Sequence, residues 1–315
     1  MSRLFLVTGG AGFIGSSIAR ALVHRGDRVR IIDDLSTGSR QNLEGGADGV
    51  SVDLVEGSIL DARALAHAVS GGVDTIFHQA AVSSVPRSIA DPGLTHEVNA
   101  TGTLGVLEAA RRAGVRRVVY AASASAYGDS PVTPKTEELL PRPMSPYAVS
   151  KLAGEHYCRS FHVVYGLQTV ALRYFNVFGA RQDPASDYAA VIPRFVTAGL
   201  RGRPATVFGD GEQTRDFCHI DDVVAANLAA ADAPGAPGKV FNIASGHAVS
   251  LNQVLKVLEG TFGRSIDVRH EASREGDVRH SLADIALARE VLGHTPKVDF
   301  AVGLGKTVDW YRGQG

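Results

Sequence analysis

An apolar run at positions 4–7 is ended by Thr8 and Gly9, and from Phe13 the apolar positions fall at helical spacing. The same alternation recurs along the chain. Apolar runs at 28–32, 51–55, 74–77, 117–121, 168–173 and 240–243 predict strands. Helical spacing at 61–69, 94–113, 147–164, 190–201, 221–231, 251–262 and 282–292 predicts helices, and 266–270 predicts one more strand. Strand–helix alternation with few hairpin signals implies a parallel sheet with helices on both faces. Prolines 131, 134, 141, 143 and 146 make the stretch before the 147–164 helix an irregular excursion over the sheet edge. Beyond Asn176 the alternation loosens: 181–188 reads as a turn, and 203–213 mixes proline, glycine and short extended runs.

Gly9, Gly12 and Gly15 fall at three-residue intervals where the first strand gives way to the first helix, which Phe13 and Ile14 open. A dinucleotide needs a tight turn, close backbone approach to its pyrophosphate, and helix amides facing the phosphate charge. The spacing is GxxGxxG, not the commoner GxGxxG, and a glycine turn that binds nothing would read the same way. Asp33 ends the second strand about 20 positions beyond the turn, where a carboxylate can accept hydrogen bonds from an adenosine ribose; an ordinary strand-end residue would also fit. Asp34 follows directly, and two carboxylates there would repel a ribose phosphate, which favours NAD over NADP; Arg40 is a counterweight. The fourth strand runs into His78-Gln79-Ala80-Ala81, and the small Ala80 and Ala81 let a flat cofactor lie against the backbone. His78 has no nearby nucleophile or acid in the sequence and reads as a support for that loop.

Charge and composition narrow the class. With 32 basic and 33 acidic residues the net charge is −1, so no broad field favours nucleic acid or a membrane surface. The Arg111–Arg112 and Arg116–Arg117 pairs read as a solvated face. No apolar run approaches the ~20 residues that span a bilayer, and no signal segment precedes the first strand, which together predict a cytoplasmic protein. Cys158 and Cys218 read as free thiols, and the eleven histidines form no HExxH, so no metal site is expected.

Tyr147 and Lys151 are four positions apart in YAVSK, a spacing that stacks both on one helix face. A lysine charge beside a tyrosine favours the phenolate and lowers its pKa toward neutrality. Ser123, closing the fifth strand, is placed to hydrogen-bond a reacting oxygen. With the glycine turn, these residues resemble the extended short-chain dehydrogenases/reductases. HQAAVSSVPRSI at 78–89, RYFNVFG at 173–179, RQDPASDYAAVIPRF at 181–195, GDGEQTRDFCHIDDV at 209–223 and REGDVRH at 274–280 extend the likeness along the chain. HQAAVSSVPRSI and RQDPASDYAAVIPRF narrow the resemblance to nucleotide-sugar 4-epimerases, nearest those acting on UDP-N-acetylglucosamine.

That resemblance implies a Rossmann-type parallel sheet with a smaller, interleaved mixed α/β substrate-binding domain. The expected division is 1–175 and 221–245 for NAD binding, and 176–220 with most of 246–315 for substrate. It implies NAD as cofactor, Tyr147 as the acid/base at the sugar 4-hydroxyl, Lys151 tuning it and holding the ribose, and Ser123 orienting the 4-oxygen. Tyr174 would lie by the nicotinamide. Ser58 and Ile59 stand at the adenine, although many relatives carry aspartate in place of Ser58. Asn176, Arg215 and Arg274 would line the UDP diphosphate, and Val191, Phe208 and Asp277 the uracil and its ribose. Ser83, Ser84, Gln182 and Ala190 match further sugar-pocket positions. Ser281 matches a position held by tyrosine in epimerases limited to UDP-glucose and UDP-galactose, so it is expected to admit an N-acetyl group. Helices 94–113 and 147–164 would form a four-helix homodimer interface. Ala124 and Ser125 occupy the places of an Asp–Glu pair in related dehydratases, which disfavours dehydration. An epimerase restricted to unsubstituted sugars, a UDP-glucuronate epimerase or decarboxylase, and a non-enzymatic NAD-binding regulator are the competing readings.

Overall fold

The computed structural model describes residues 2–44, 51–184, 190–272 and 278–314. Its strands are β1 (Leu4–Thr8), β2 (Arg28–Asp33), β3 (Asp53–Glu56), β4 (Val73–His78), β5 (Arg117–Ser123), β6 (Gln168–Tyr174), β7 (Asn176–Phe178), β8 (Ala205–Phe208), β9 (Thr214–His219), β10 (Val240–Ile243), β11 (Ala248–Ser250) and β12 (Val268–Glu271). The α-helices are α1 (Phe13–His24), α2 (Gln41–Glu44), α3 (Ala62–Ala68), α4 (Val85–Ala90), α5 (Pro92–His96), α6 (Gly102–Arg112), α7 (Pro146–Tyr165), α8 (Val191–Leu200), α9 (Ile220–Asp232), α10 (Leu251–Phe262), α11 (Ala286–Leu292) and α12 (Phe300–Arg312).

Seven strands form one parallel sheet in the order β10-β6-β5-β4-β1-β2-β3. Successive side chains of β1 go to opposite faces. Phe5 and Val7 join Phe77, Val119 and Leu172 under α1 and α9, while Leu4 and Leu6 join Ile76, Val118 and Tyr120 under α3, α6 and α7. A strand covered on both sides must be apolar at every position, which is why β1 reads as a continuous run. The chain leaves β1 toward β2 on one side, while β4 pairs on the other, so the strand order reverses at the carboxyl end of β1. At such a point the connecting loops diverge and open a crevice.

Two small sheets lie outside this one. β7 and β11 flank β9, and β12 pairs with β8; a third apolar core gathers Phe195, Val207, Leu255, Leu258 and Leu304 from α8, β8, α10 and α12. This is the Rossmann-type α/β architecture expected, with the additional mixed α/β elements beside it.

Local departures have physical causes. The 94–113 segment is helical as expected but not α throughout: α5 passes directly into a π-helical stretch at Glu97–Thr101 and then into α6. There the Asn99 side chain is buried, receiving Val82 N at 2.8 Å and donating to Val82 O at 3.1 Å. The last predicted helix starts at Ala286, not 282, because residues 282–284 are drawn against Lys135: Lys135 N donates to Leu282 O and Asp284 N to Lys135 O, each at 2.8 Å. Arg117 does not belong to a solvated face. It is buried, donating to Gln168 and to the carbonyls of Ala230 and Ala233, and Arg116 pairs with Asp74. Among the described residues, no helix is long and apolar enough to cross a membrane.

Candidate active site

The glycine turn is built around backbone crowding. Gly9 has φ +65°, and a Cβ there would stand 2.7 Å from Ala80 N and Cα. A Cβ on Gly15 would overlap the carbonyl oxygen of Gly9, and one on Gly12 would lie 3.3 Å from it. Only glycine lets β1, the β4 loop and α1 converge this closely. Helix α1, which Phe13 and Ile14 open, starts from Gly12 with no side-chain cap on its first amides. Beside them Asp33 is buried, its Oδ2 accepting from Ala11 N and its Oδ1 from Leu35 N, both at 2.8 Å. Burial raises its pKa and the two amides pull it back. Each carboxylate oxygen keeps a second lone pair, so the pair of ribose hydroxyls of a dinucleotide can still be met. Asp34 is exposed and accepts from Ser36 N, while Arg40 is paired with Glu56. The counterweight to Asp34 is therefore engaged elsewhere. Ser58 accepts from Leu60 N at 3.2 Å and Ile59 is buried beneath it. The crowded turn, the uncapped amides and the carboxylate at the end of β2 fit a nicotinamide dinucleotide without a 2′-phosphate.

His78 supports this turn from below. Thr103 donates to Asn99 O at 2.6 Å, so its oxygen receives the His78 Nε2 proton at 2.9 Å. Nδ1 then accepts from Thr8 Oγ1 at 2.7 Å, and Thr8 Oγ1 receives Ala80 N at 3.2 Å. Every donor in the chain points the same way, which fixes one neutral tautomer. Burial, and secondarily the charge of Lys151, lowers the His78 pKa from 6.5 to about 3.

Helix α7 begins with Pro146 and is capped by Ser145, whose side chain accepts from Ala148 N. Tyr147 therefore sits in its first turn and Lys151 one turn on. Lys151 is buried and donates to Ala121 O at 2.9 Å, and burial lowers its pKa to about 8. Ser123 at the end of β5 receives Ser125 N at 3.1 Å and Ser125 Oγ at 2.8 Å. The electrostatics of Tyr147 differ from expectation. Burial raises its pKa, and the pull back comes from hydrogen bonding to Ser123, while the Lys151 ammonium is turned onto the Ala121 carbonyl. Proximity in sequence placed the lysine on the same helix face; it could not show where the ammonium would be spent.

Tyr174, at the end of β6, is fixed by two residues that periodicity alone does not single out. Gln79 Nε2 donates to its hydroxyl at 3.1 Å, and that hydroxyl donates to Asn227 Oδ1 at 2.9 Å. Asn99 likewise ties the Val82 loop to α7, donating to Ser150 Oγ at 3.0 Å, while Ser150 donates to Tyr147 O at 2.9 Å. A buried Asn within a helical pattern was the one signal that could have marked it.

The remaining candidates gather on the small sheets and nearby loops. Asn176 on β7 donates to Asp216 O at 3.4 Å, and Arg215 on β9 donates to Thr214 O and Arg279 O. Ser281 N donates to Thr214 O at 3.1 Å, which seats Ser281 beside Arg215. Asp216 organises this corner: its buried carboxylate accepts from Ser245 N, Ser245 Oγ, Gly246 N and Ala283 N. Gln182 receives the Tyr311 hydroxyl on its carbonyl and donates its amide to Val177 O. Ala190 caps α8, Val191 opens it, and Arg194 lies over the Phe208 ring at 5.6 Å. Ser83 is exposed, and Ser84 caps α4 by accepting from Arg87 N. Arg274 and Asp277 lie outside the described residues. Among those described, no cluster of three or more His, Cys, Asp or Glu has the geometry of a metal site.

Known proteins resemble this chain in sequence and in fold. The profile described as the NAD dependent epimerase/dehydratase family matches residues 5–244. A UDP-glucose 4-epimerase of Mycolicibacterium smegmatis is 40% identical over 308 residues, covering 98% of each chain. A UDP-N-acetylglucosamine 4-epimerase from Methanobrevibacter ruminantium, solved with UDP-N-acetylmuramic acid, superposes with TM-score 0.94 at 38% identity over 100% of this chain and 99% of its own. A UDP-glucose 4-epimerase from Thermotoga maritima, solved with UDP-glucose, gives TM-score 0.93 at 38% identity over 99% of both chains. Likeness of that extent, on a fold whose glycine turn and Asp33 suit the cofactor, makes the protein a member of the NAD-dependent epimerase/dehydratase family within the extended short-chain dehydrogenases/reductases.

Proposed function

We propose that the protein is a UDP-sugar 4-epimerase that interconverts UDP-N-acetylglucosamine and UDP-N-acetylgalactosamine and also accepts UDP-glucose and UDP-galactose. The observation that carries this reading is that Ser123 ends β5 and Tyr147 lies in the first turn of α7, both at the carboxyl end of the sheet, with Ala124 and Ser125 where the resemblance puts the carboxylic acids of dehydratases. Bound NAD supplies reversible oxidation at the sugar C4. Tyr147 Oη takes the proton of the 4-hydroxyl and returns it after the 4-keto sugar has turned over, and Ser123 orients the 4-oxygen throughout. Lys151, held by Ala121 O, presents a buried charge to the ribose. Residues 176–220 and much of 246–315 supply the substrate part: Asn176, Arg215 and Arg274 hold the diphosphate about which the sugar turns, and an Arg fork suits two phosphate oxygens at once. Val191, Phe208 and Asp277 enclose the uridine, while Ser83, Ser84, Gln182 and Ala190 surround the sugar. Ser281 leaves room for the acetamido group.

Incubating the pure protein separately with UDP-N-acetylglucosamine, UDP-glucose and UDP-glucuronate, and resolving the C4 epimers, tests the reading. Epimers of the first two are expected. A 4-keto-6-deoxy product, a decarboxylated pentose, or no product from either expected substrate would overturn it. A homodimer is part of the proposal. Val149, Tyr157, Val163 and Val164 are exposed along one side of α7, an apolar face that a second copy would cover. Light scattering at low concentration should give twice the monomer mass.

A further inference from the structure

We propose that Ser125 is a positioning residue that holds Ser123 as a pure hydrogen-bond donor toward the reacting oxygen. The inference rests on the reading of Tyr147 and Ser123 as the acid–base apparatus. Ser123 ends β5 in an extended conformation and caps the short 3₁₀ turn Ala124–Tyr127. Its oxygen receives both the amide and the hydroxyl of Ser125, at 3.1 and 2.8 Å. A hydroxyl oxygen has two lone pairs and one proton. With both lone pairs occupied by Ser125, the remaining capacity of Ser123 is its own proton, and Tyr147 is the neighbour that feels it. In the free enzyme that proton goes to the Tyr147 oxygen and stabilises the phenolate, the form that accepts the sugar proton; once substrate is bound it goes to the 4-oxygen. Saturated in this way, Ser123 cannot itself take up the sugar proton, so the transfer goes to Tyr147.

The opposite orientation of the Ser123–Ser125 bond makes the opposite prediction. There Ser123 would spend its proton on Ser125, and removing the Ser125 hydroxyl would release it toward Tyr147. Ser125→Ala keeps the backbone amide and deletes only the hydroxyl. With one hydrogen bond lost, kcat should fall roughly three- to tenfold, KM should stay within about twofold, and the acidic limb of the kcat/KM profile, which reports the free enzyme, should move up by about half a pH unit. Ser125→Thr should restore the wild-type profile. Ser125→Cys, a weaker donor of similar shape, should move the limb up by less. Because Ser125 acts through Ser123, the double variant Ser123→Ala/Ser125→Ala should be no slower than Ser123→Ala alone. A limb that stays in place or moves down, or a further loss in the double variant, would overturn the proposal. The acid–base reading is tested apart from it by Tyr147→Phe, whose turnover does not depend on how Ser125 is oriented.

Discussion

Replacing His78 by glutamine should flatten the acid side of the stability profile. In the fold His78 is neutral, its two nitrogens committed to Thr8 and Thr103, with its pKa lowered from 6.5 to about 3. The unfolded chain takes up a proton near the ordinary histidine value, and the folded chain resists until far lower pH. Between those values the unfolded state binds more protons, so stability is complete above about pH 6.5 and is lost as pH falls toward about 3. From about pH 7.5 to about pH 5 the difference amounts to roughly 1.5 pK units for this one group, or about 2 kcal/mol. Urea unfolding of wild type and His78→Gln at the two pH values measures it. The variant should be weaker at both, having lost buried hydrogen bonds, but its drop between them should be about 2 kcal/mol smaller. The buried carboxyls Asp33, Glu137 and Asp216, whose pKa values burial raises, are common to both proteins and cancel in the comparison. An identical drop in the two proteins would mean that His78 titrates normally in the fold and that the one-way hydrogen-bond chain is wrong.

Tyr147→Phe keeps the ring and removes the phenolic proton, so kcat should fall by ~10²–10⁴ with UDP-sugar affinity, read by calorimetry, little changed. Gly15→Ala would drive a methyl into the Gly9 carbonyl, and protein purified from that variant should release little or no nicotinamide dinucleotide on denaturation, where wild type releases it. Ser281→Tyr should suppress kcat/KM for both acetamido sugars and spare UDP-glucose and UDP-galactose; equal losses on both pairs would remove Ser281 from the sugar pocket.

What could be read from the chain was local. The inner strands β1, β4 and β5 are buried on both faces and read as apolar runs, and the glycine turn, Asp33 and the Tyr147–Lys151 spacing each lie within one strand–turn–helix unit. β7 and β11 escaped notice because they are only three residues long and partly exposed, and β9 because its run Thr214–His219 interleaves polar Thr214, Arg215, Asp216 and His219 with only two apolar positions. α12 was missed because Gly303 and Gly305 interrupt its apolar period, although Asp299 caps it by accepting from Ala301 N and Val302 N. The ties that aim the site are long-range: Gln79 and Asn227 meet on the Tyr174 hydroxyl, and Val82 meets Asn99. No periodicity encodes such meetings. Burial, too, is a property of the assembled sheet, and it decided the direction of the Tyr147 shift.

The carboxylate of Asp216 has a consequence for how the protein is made. Its amide partners come from Ser245, Gly246 and Ala283, 29, 30 and 67 residues further along. At ~5–20 residues per second a ribosome adds the last of them roughly 3–13 s after Asp216 itself. Over that interval the nascent chain already carries the glycine turn and Tyr147, while Asp216 waits for Ala283 with its charge only partly matched. Synthesis therefore supplies the glycine turn and Tyr147 well before the last partner of the corner that seats Ser281.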